Sequence, residues 1–241
     1  MKCHRHRRLL ILFTLLLASC GMNQFATLST SDTITQQVPP LPDFKNIELL
    51  PENFQVLYTG GGSVNFANGV MDFYPATAFA LTQTHAPLIF LKETQDQPVM
   101  NFELIVDVTT VAQLRQGSAP NPWEVFWIFF NYTGGISDKA TNYYLSKPAP
   151  YGNELGVATD RVGQEFLGSD GNFPTAVGER HVFTYKRKGA KFTVWRDSQM
   201  IYNYQDTGGK LLSTKGAIAF YCEDAHVQIH SVQYRGLDSV P

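Results

Sequence analysis

Residues 123–132 read Trp-Glu-Val-Phe-Trp-Ile-Phe-Phe-Asn-Tyr. This is where the sequence concentrates groups able to hold a saccharide. Sugars present C–H faces and hydroxyl edges, so their sites pair aromatic rings with charged or amide groups. Side chains alternate along an extended strand, which sets Trp123, Val125, Trp127 and Phe129 on one face and Glu124, Phe126, Ile128 and Phe130 on the other. Trp123 and Trp127 are candidate ring platforms. Glu124 is a carboxylate inside an apolar strand, a placement that needs a partner or a purpose. Tyr144, Lys147 and Glu154 fall on the next two expected elements and are candidates to converge with them. Glycosidases use two carboxylates about 5–10 Å apart; Glu124 and Glu154 are the candidate catalytic pair, and Trp123, Trp127, Tyr144 and Lys147 the candidate ligand-binding set. The simpler reading buries the tryptophans in a core and leaves the charges at strand ends.

Other chemistry finds less support. Cys222 lies in Ala-Ile-Ala-Phe-Tyr-Cys, a buried-strand pattern in which a thiol serves as a small hydrophobe. No Cys/His spacing suggests zinc. Glu223, Asp224 and Asp238 are late carboxylates available to a structural Ca²⁺, which takes 6–8 oxygen ligands; solvated turns are the simpler reading, and no cofactor is expected. Tyr58-Thr-Gly-Gly-Gly-Ser lacks the Lys-Ser/Thr ending and following helix of a phosphate loop, so a turn between strands is expected.

The elements that must position these residues are strands. From Phe44 onward, short segments rich in Val, Ile, Phe, Tyr and Trp are broken by Gly, Asn, Asp and Pro, at strand-and-turn spacing. Phe102, Leu104, Val106 and Val108 alternate with Glu103 and Asp107, the mark of a half-buried strand. Residues 123–132 read as a central strand covered on both faces. Val182–Lys186 and Lys191–Trp195 flank Arg187-Lys188-Gly189-Ala190, a hairpin signal. Pro51–Phe54 and Val111–Gln116 are expected as single helical turns. The fold class that follows is all-β: a two-sheet antiparallel sandwich or jelly roll.

The second half carries an ordered set of phrases. They run Trp123-Glu-Val-Phe-Trp127, Asn142-Tyr-Tyr-Leu-Ser-Lys147, Gly152-Asn-Glu-Leu-Gly156, Gln164-Glu-Phe-Leu, Gly178-Glu-Arg-His181, Lys191-Phe-Thr-Val-Trp-Arg-Asp197, Gly216-Ala-Ile-Ala-Phe-Tyr-Cys-Glu-Asp-Ala225 and Val227-Gln-Ile-His-Ser-Val232. Over roughly residues 100–236 this resembles the concanavalin A-like lectin/glucanase superfamily. It is most similar to laminin-G-like and 3-keto-disaccharide hydrolase type domains, loosely grouped with family 16 glycoside hydrolases. The resemblance implies a jelly roll and saccharide chemistry, but the fold hosts lectins, lyases and hydrolases alike. Family 16 enzymes proper carry Glu-x-Asp-x-x-Glu on one strand, and no such motif is present. Gln228-Ile229-His230 is similar to the Gln-Ile-His of alginate lyases. Their companion Arg-x-Glu and Tyr-x-Lys-x-Gly-x-Tyr-x-Gln strands are missing, so His226 and His230 are expected as surface or rim residues of the last strand.

The first residues supply an address. A basic Met-Lys-Cys-His-Arg-His-Arg-Arg precedes an apolar Leu9–Leu17, too short for a span of about 20 residues and fitting a signal peptide. Leu17-Ala18-Ser19-Cys20-Gly21 resembles the lipobox of bacterial lipoproteins, which implies cleavage after residue 19 and lipidation of Cys20. Gly21 rather than Asp after the cysteine implies the outer membrane of a Gram-negative envelope. The expected organisation is a signal peptide (1–19), a Ser/Thr/Gln/Pro-rich tether (20–43) and a β-sandwich (44–241). Removing Lys2, Arg5, Arg7 and Arg8 leaves 15 Lys and Arg against 21 Asp and Glu, a formal charge of −6. Such a chain lacks the basic patch that nucleic acid demands. The expected partners are an oligo- or polysaccharide and, through lipid, a membrane. The expected function is glycan binding or processing at the envelope. The alternative is a non-enzymatic interaction protein with no sugar ligand. The sequence assigns no oligomeric state.

Overall fold

Alternating apolar and polar residues lay down the strands, and the computed structural model describes residues 43–134, 140–159 and 163–238. The signal segment, Cys20 and nearly all of the tether lie outside these residues. In chain order the strands are β1 (Lys45–Ile47), β2 (Phe54–Thr59), β3 (Ser63–Ala67), β4 (Val70–Tyr74), β5 (Pro87–Leu91), β6 (Phe102–Gln113), β7 (Phe126–Tyr132) and β8 (Ala140–Ser146). They continue as β9 (Asn153–Thr159), β10 (Gly163–Asp170), β11 (Arg180–Lys188), β12 (Lys191–Arg196), β13 (Gln199–Gln205), β14 (Ala217–Cys222) and β15 (Ala225–Gly236). A 3₁₀ turn covers Pro51–Asn53, and one short helix, α1, covers Lys92–Asp96.

Two antiparallel sheets result. An eight-stranded sheet runs β13-β12-β11-β6-β15-β4-β3, with β1 also paired to β15. A seven-stranded sheet runs β10-β9-β8-β7-β14-β5-β2. Between them lies one core, built from Phe102, Leu104, Val106, Val227, Ile229 and Phe192 on one side and Ile89, Phe126, Ile128, Phe130, Ile218 and Phe220 on the other. Fully burying one such side chain is worth about 1.5–3 kcal/mol, so the facing rows hold the sheets together. The β6 alternation and the β11–β12 hairpin stand where the sequence sets them.

Two local expectations differ, and the turn at the glycine run stands as expected. Residues 111–113 continue β6 rather than starting a helical turn, because Ala112 and Gln113 pair with His226 and Ala225 on β15, with Val111 at a register shift. Arg187 belongs to β11 and is buried. It donates to Asn131 Oδ1 and, at 2.6 Å, to Leu212 O. Desolvation lowers its pKa to about 10, against the opposing pull of Asp206 and Asp238. The glycine run after Tyr58 is a corner at which the chain leaves the seven-stranded sheet for the other. A Cβ on Gly62 would sit 2.0 Å from Tyr74 O, and Gly60 has φ +67°, so the corner requires glycines.

The last strand carries a bulge. Val227 and Ile229 face the core, then Val232 and Tyr234 do, with a register shift between Ile229 and Ser231. The extra residue breaks the period of two and leaves His230 facing outward against Thr109.

Candidate functional site

The seven-stranded sheet is apolar on both faces. Along β7, Phe126, Ile128 and Phe130 enter the core between the sheets, while Val125, Trp127, Phe129 and Tyr132 form part of a second cluster on the outer face. An antiparallel sheet with a solvated face normally alternates apolar-in and polar-out. This one does not, so its outer face is the first place to look for a site.

Register fixes the layout of that face. One row crosses the sheet as Ser169, Glu154, Leu145, Trp127, Tyr221, Leu88 and Tyr58. The next row runs Phe166, Gly156, Tyr143, Phe129, Ala219 and Phe90. Ring centroids lie 5.3 Å apart for Trp127 and Tyr143, 5.4 Å for Trp127 and Tyr221, and 4.7 Å for the stacked Phe129 and Tyr221. Trp127 and Tyr143 are the buried floor of this layer, and Tyr58 and Tyr221 are its half-buried walls. A pocket of about 270 Å³ opens against them, lined by Tyr58, Trp127, Phe129, Gln164, Tyr221 and Glu223 among others.

Polar groups are few and placed at the edge. Tyr221 Oη donates to Glu223 Oε1 at 2.8 Å. Burial raises the Glu223 pKa, and the Asp224 and Glu124 charges add to this, against the Tyr221 hydrogen bond and Arg115. Burial and the Glu223 charge together raise the Tyr58 pKa. The Tyr143 hydroxyl is buried and has no hydrogen-bond partner. Its pKa rises through desolvation first, then through the charges of Glu154 and Glu223. This phenol is a donor without an acceptor.

The sequence candidates divide between the two faces. Trp127 lies in the outer aromatic layer. Trp123 is 42% exposed in the turn before β7, and its carbonyl accepts from Trp127 Nε1 at 2.8 Å. Glu154 shares the outer row, where Lys147 Nζ lies 3.1 Å from its Oε2. Tyr144 faces the core between the sheets and donates to Asn153 Oδ1 at 2.6 Å; its neighbour Tyr143 is the outward ring. Glu124 is fully buried. Arg115 Nε lies 2.5 Å from Glu124 Oε1 and Arg115 Nη2 2.6 Å from Asp224 Oδ2. Arg115 also donates to Ala80 O and Gln83 O. This is an ion cluster that ties the 80–85 segment to the turn before β7 and to the turn between β14 and β15, and it keeps Glu124 away from Trp127 and from Glu154. Trp127 and Glu154 therefore share one row of the outer face with Leu145 between them, Lys147 pairs with Glu154, and Glu124 and Tyr144 lie elsewhere.

Tyr58, Tyr143 and Tyr221 were not among the sequence candidates, and Glu223 was one only as a carboxylate for Ca²⁺. Part of the signal was present: in Ala217-Ile-Ala-Phe-Tyr-Cys222 the bulky residues Ile218 and Phe220 alternate with Ala217, Ala219 and Tyr221, which separates the two faces. Nothing in Tyr143-Tyr144 tells which ring points out. The three late carboxylates stay apart: Asp224 serves Arg115 and accepts from the His85 backbone N–H, while Asp238 accepts from the Met100 and Asn101 backbone N–H groups. Among the described residues no group of three or more His, Cys, Asp or Glu converges as a metal site. Cys222 is buried in the core and donates to Ala225 O at 3.1 Å.

No protein-family model matches the sequence, and no curated protein matches it. Solved structures do. Carbohydrate binding module CBM66 from Bacillus subtilis superposes with a TM-score of 0.54 at 9% identity, covering 76% of this chain and 96% of the module. A native glycosidic hydrolase gives 0.52 at 13% identity, over 83% and 99%. The carbohydrate recognition domain of Emp46p, in metal-free form, gives 0.52 at 8%, over 81% and 96%. The fold is a concanavalin A-like jelly roll. In this jelly roll the aromatic layer occupies the outer face of one sheet, and the buried ion cluster sits at the edge of the core.

Proposed function

We propose that this jelly roll binds a neutral saccharide on the outer face of its seven-stranded sheet and does not cleave it. One observation carries the reading: a sheet face that would ordinarily be polar is a layer of contacting rings, with a pocket whose edge holds Tyr221 and Glu223. Rings take the C–H faces of a sugar, and Glu223, Gln164 and the tyrosine hydroxyls take its hydroxyls. Glu223 is the ionisable carboxyl in that lining, so an anionic sugar would meet repulsion. The neighbours described as a carbohydrate binding module and a carbohydrate recognition domain agree with this reading.

Binding without turnover rests on the engagement of the acids. Glu154 on β9 and Glu223 beyond the end of β14 are separated by three strand intervals, about 14 Å at the backbone, and Tyr221 already donates to Glu223. Lys147 already holds Glu154. We also propose that Cys20 carries lipid and holds the domain at the outer membrane, on the strength of the basic and apolar segments that precede it.

A glycan array of neutral and acidic saccharides, probed with the full chain, tests the binding. Neutral glycans should be captured, and Tyr221→Ala and Tyr58→Ala should each weaken capture at least tenfold. Capture that is indifferent to both substitutions would place the ligand elsewhere.

A further inference from the structure

A second cavity opens on the same outer face. It measures about 340 Å³ and is lined by Leu57, Phe90, Gln95, Tyr132, Thr133 and Ala217, with others. Leu57, Phe90, Tyr132 and Ala217 belong to the same aromatic layer as Trp127 and Tyr221. The two cavities flank one row of the sheet, Phe129–Ala219–Phe90. The small Ala217 and Ala219 let rings from β5 and β7 meet over β14, and the centroids of Phe90 and Tyr132 are 5.0 Å apart. The apolar face therefore runs from Trp127 to Tyr132 as one cluster, its rings in two contacting groups joined across Ala219. Five residues of strand make that run about 17 Å.

The second cavity also has an unanswered polar group. Gln95 Oε1, on α1, is buried with no hydrogen-bond partner. Buried acceptors are normally satisfied, and this one borders a cavity on a proposed sugar platform. The first cavity offers Glu223 in the same role. Each end of the ring surface thus has a buried or half-buried acceptor for sugar hydroxyls.

Resting on the saccharide reading above, we propose that the two cavities are subsites of one groove. Its ligand is then an internal stretch of a neutral polysaccharide laid along β7 and β14, rather than a single terminal sugar. A ligand confined to one cavity would leave the other cavity and Gln95 without use. A chain spanning both covers the Phe129–Ala219–Phe90 row with successive sugar rings.

The test uses ladders of neutral gluco-, xylo-, manno- and fructo-oligosaccharides, each from the disaccharide upward, titrated calorimetrically into the full chain. For the ladder that binds, affinity should rise at least tenfold with length before it levels off. Thr133→Trp fills the second cavity from an exposed position and should make the rise stop at a shorter length. Gln95→Ala should reduce the affinity of the long members severalfold, and it keeps the test open should the tryptophan variant misfold. Equal affinity for all lengths, or a rise untouched by both variants, overturns the groove while leaving single-site sugar binding standing. Binding to no ladder and to no array glycan overturns the saccharide reading itself.

Discussion

The ring of Tyr143 occupies the space that a side chain at Gly156 would fill: a Cβ there would lie 2.1 Å from Tyr143 Cζ and Oη. The two residues are register partners on β8 and β9. The absence of a side chain on one strand is what lets the ring on the next lie down in the aromatic layer. Gly156→Ala should therefore displace Tyr143 and disturb the floor under Trp127. Overpacking of this kind costs about 1–3 kcal/mol. Chemical denaturation should show that loss, and saccharide affinity should fall with it; an unchanged affinity would mean that the floor does not shape the site.

Glu223 sets a pH dependence. Its pKa is raised by burial first and by neighbouring carboxylates next, so the folded chain holds this proton more tightly than the unfolded chain does. A raised group contributes stability that is fully present below the unfolded pKa and is lost as pH rises through the folded one. Glu223→Gln should raise the thermal midpoint at about pH 8, where the native carboxylate is charged, and give no gain at about pH 4. A gain of equal size at both would place the effect elsewhere.

Tyr221→Phe removes the hydroxyl that donates to Glu223 at 2.8 Å. That hydrogen bond lowers the carboxyl pKa against the pull of burial. Without it the Glu223 titration, followed by carbon NMR of the side-chain carboxyl, should move to higher pH. Saccharide binding should weaken about 3- to 10-fold, the value of one hydrogen bond.

Arg115 serves two buried carboxylates, Glu124 and Asp224. Arg115→Met strands both, and removing one partner from a buried pair costs about 3–5 kcal/mol. Glu124→Gln leaves Arg115 still paired with Asp224 and should cost less. Urea midpoints of the two variants decide the order. If Glu124→Gln abolished binding while leaving stability intact, Glu124 would serve the ligand rather than the fold.

Cys20→Ala in the full chain should abolish incorporation of labelled fatty acid and move the protein from the membrane pellet to the soluble fraction. Retained labelling would place the lipid on another residue.

Much of the frame could be read from residue order. The alternation of Phe102, Leu104, Val106 and Val108 determined which side of β6 is buried. The apolar run 126–132 determined that β7 is covered on both faces. The alternation that put Trp127 opposite Glu124 was legible too, because period-two geometry fixes faces within one strand. What a strand does not encode is which of its faces turns toward the other sheet. Only the packing of the two sheets sent Glu124 and Tyr144 inward and Trp127 and Tyr143 outward. Long-range partners were equally invisible. Arg115 reaches Asp224 across 109 positions, and β14 lies between β5 and β7, so Glu223 comes to rest beside Tyr58 and Trp127 from far along the chain. Strand identity is local in sequence, and so the sequence by itself determined it. The site is assembled from rows that cross seven strands, and only the register of the folded sheet decided which side chains share a row.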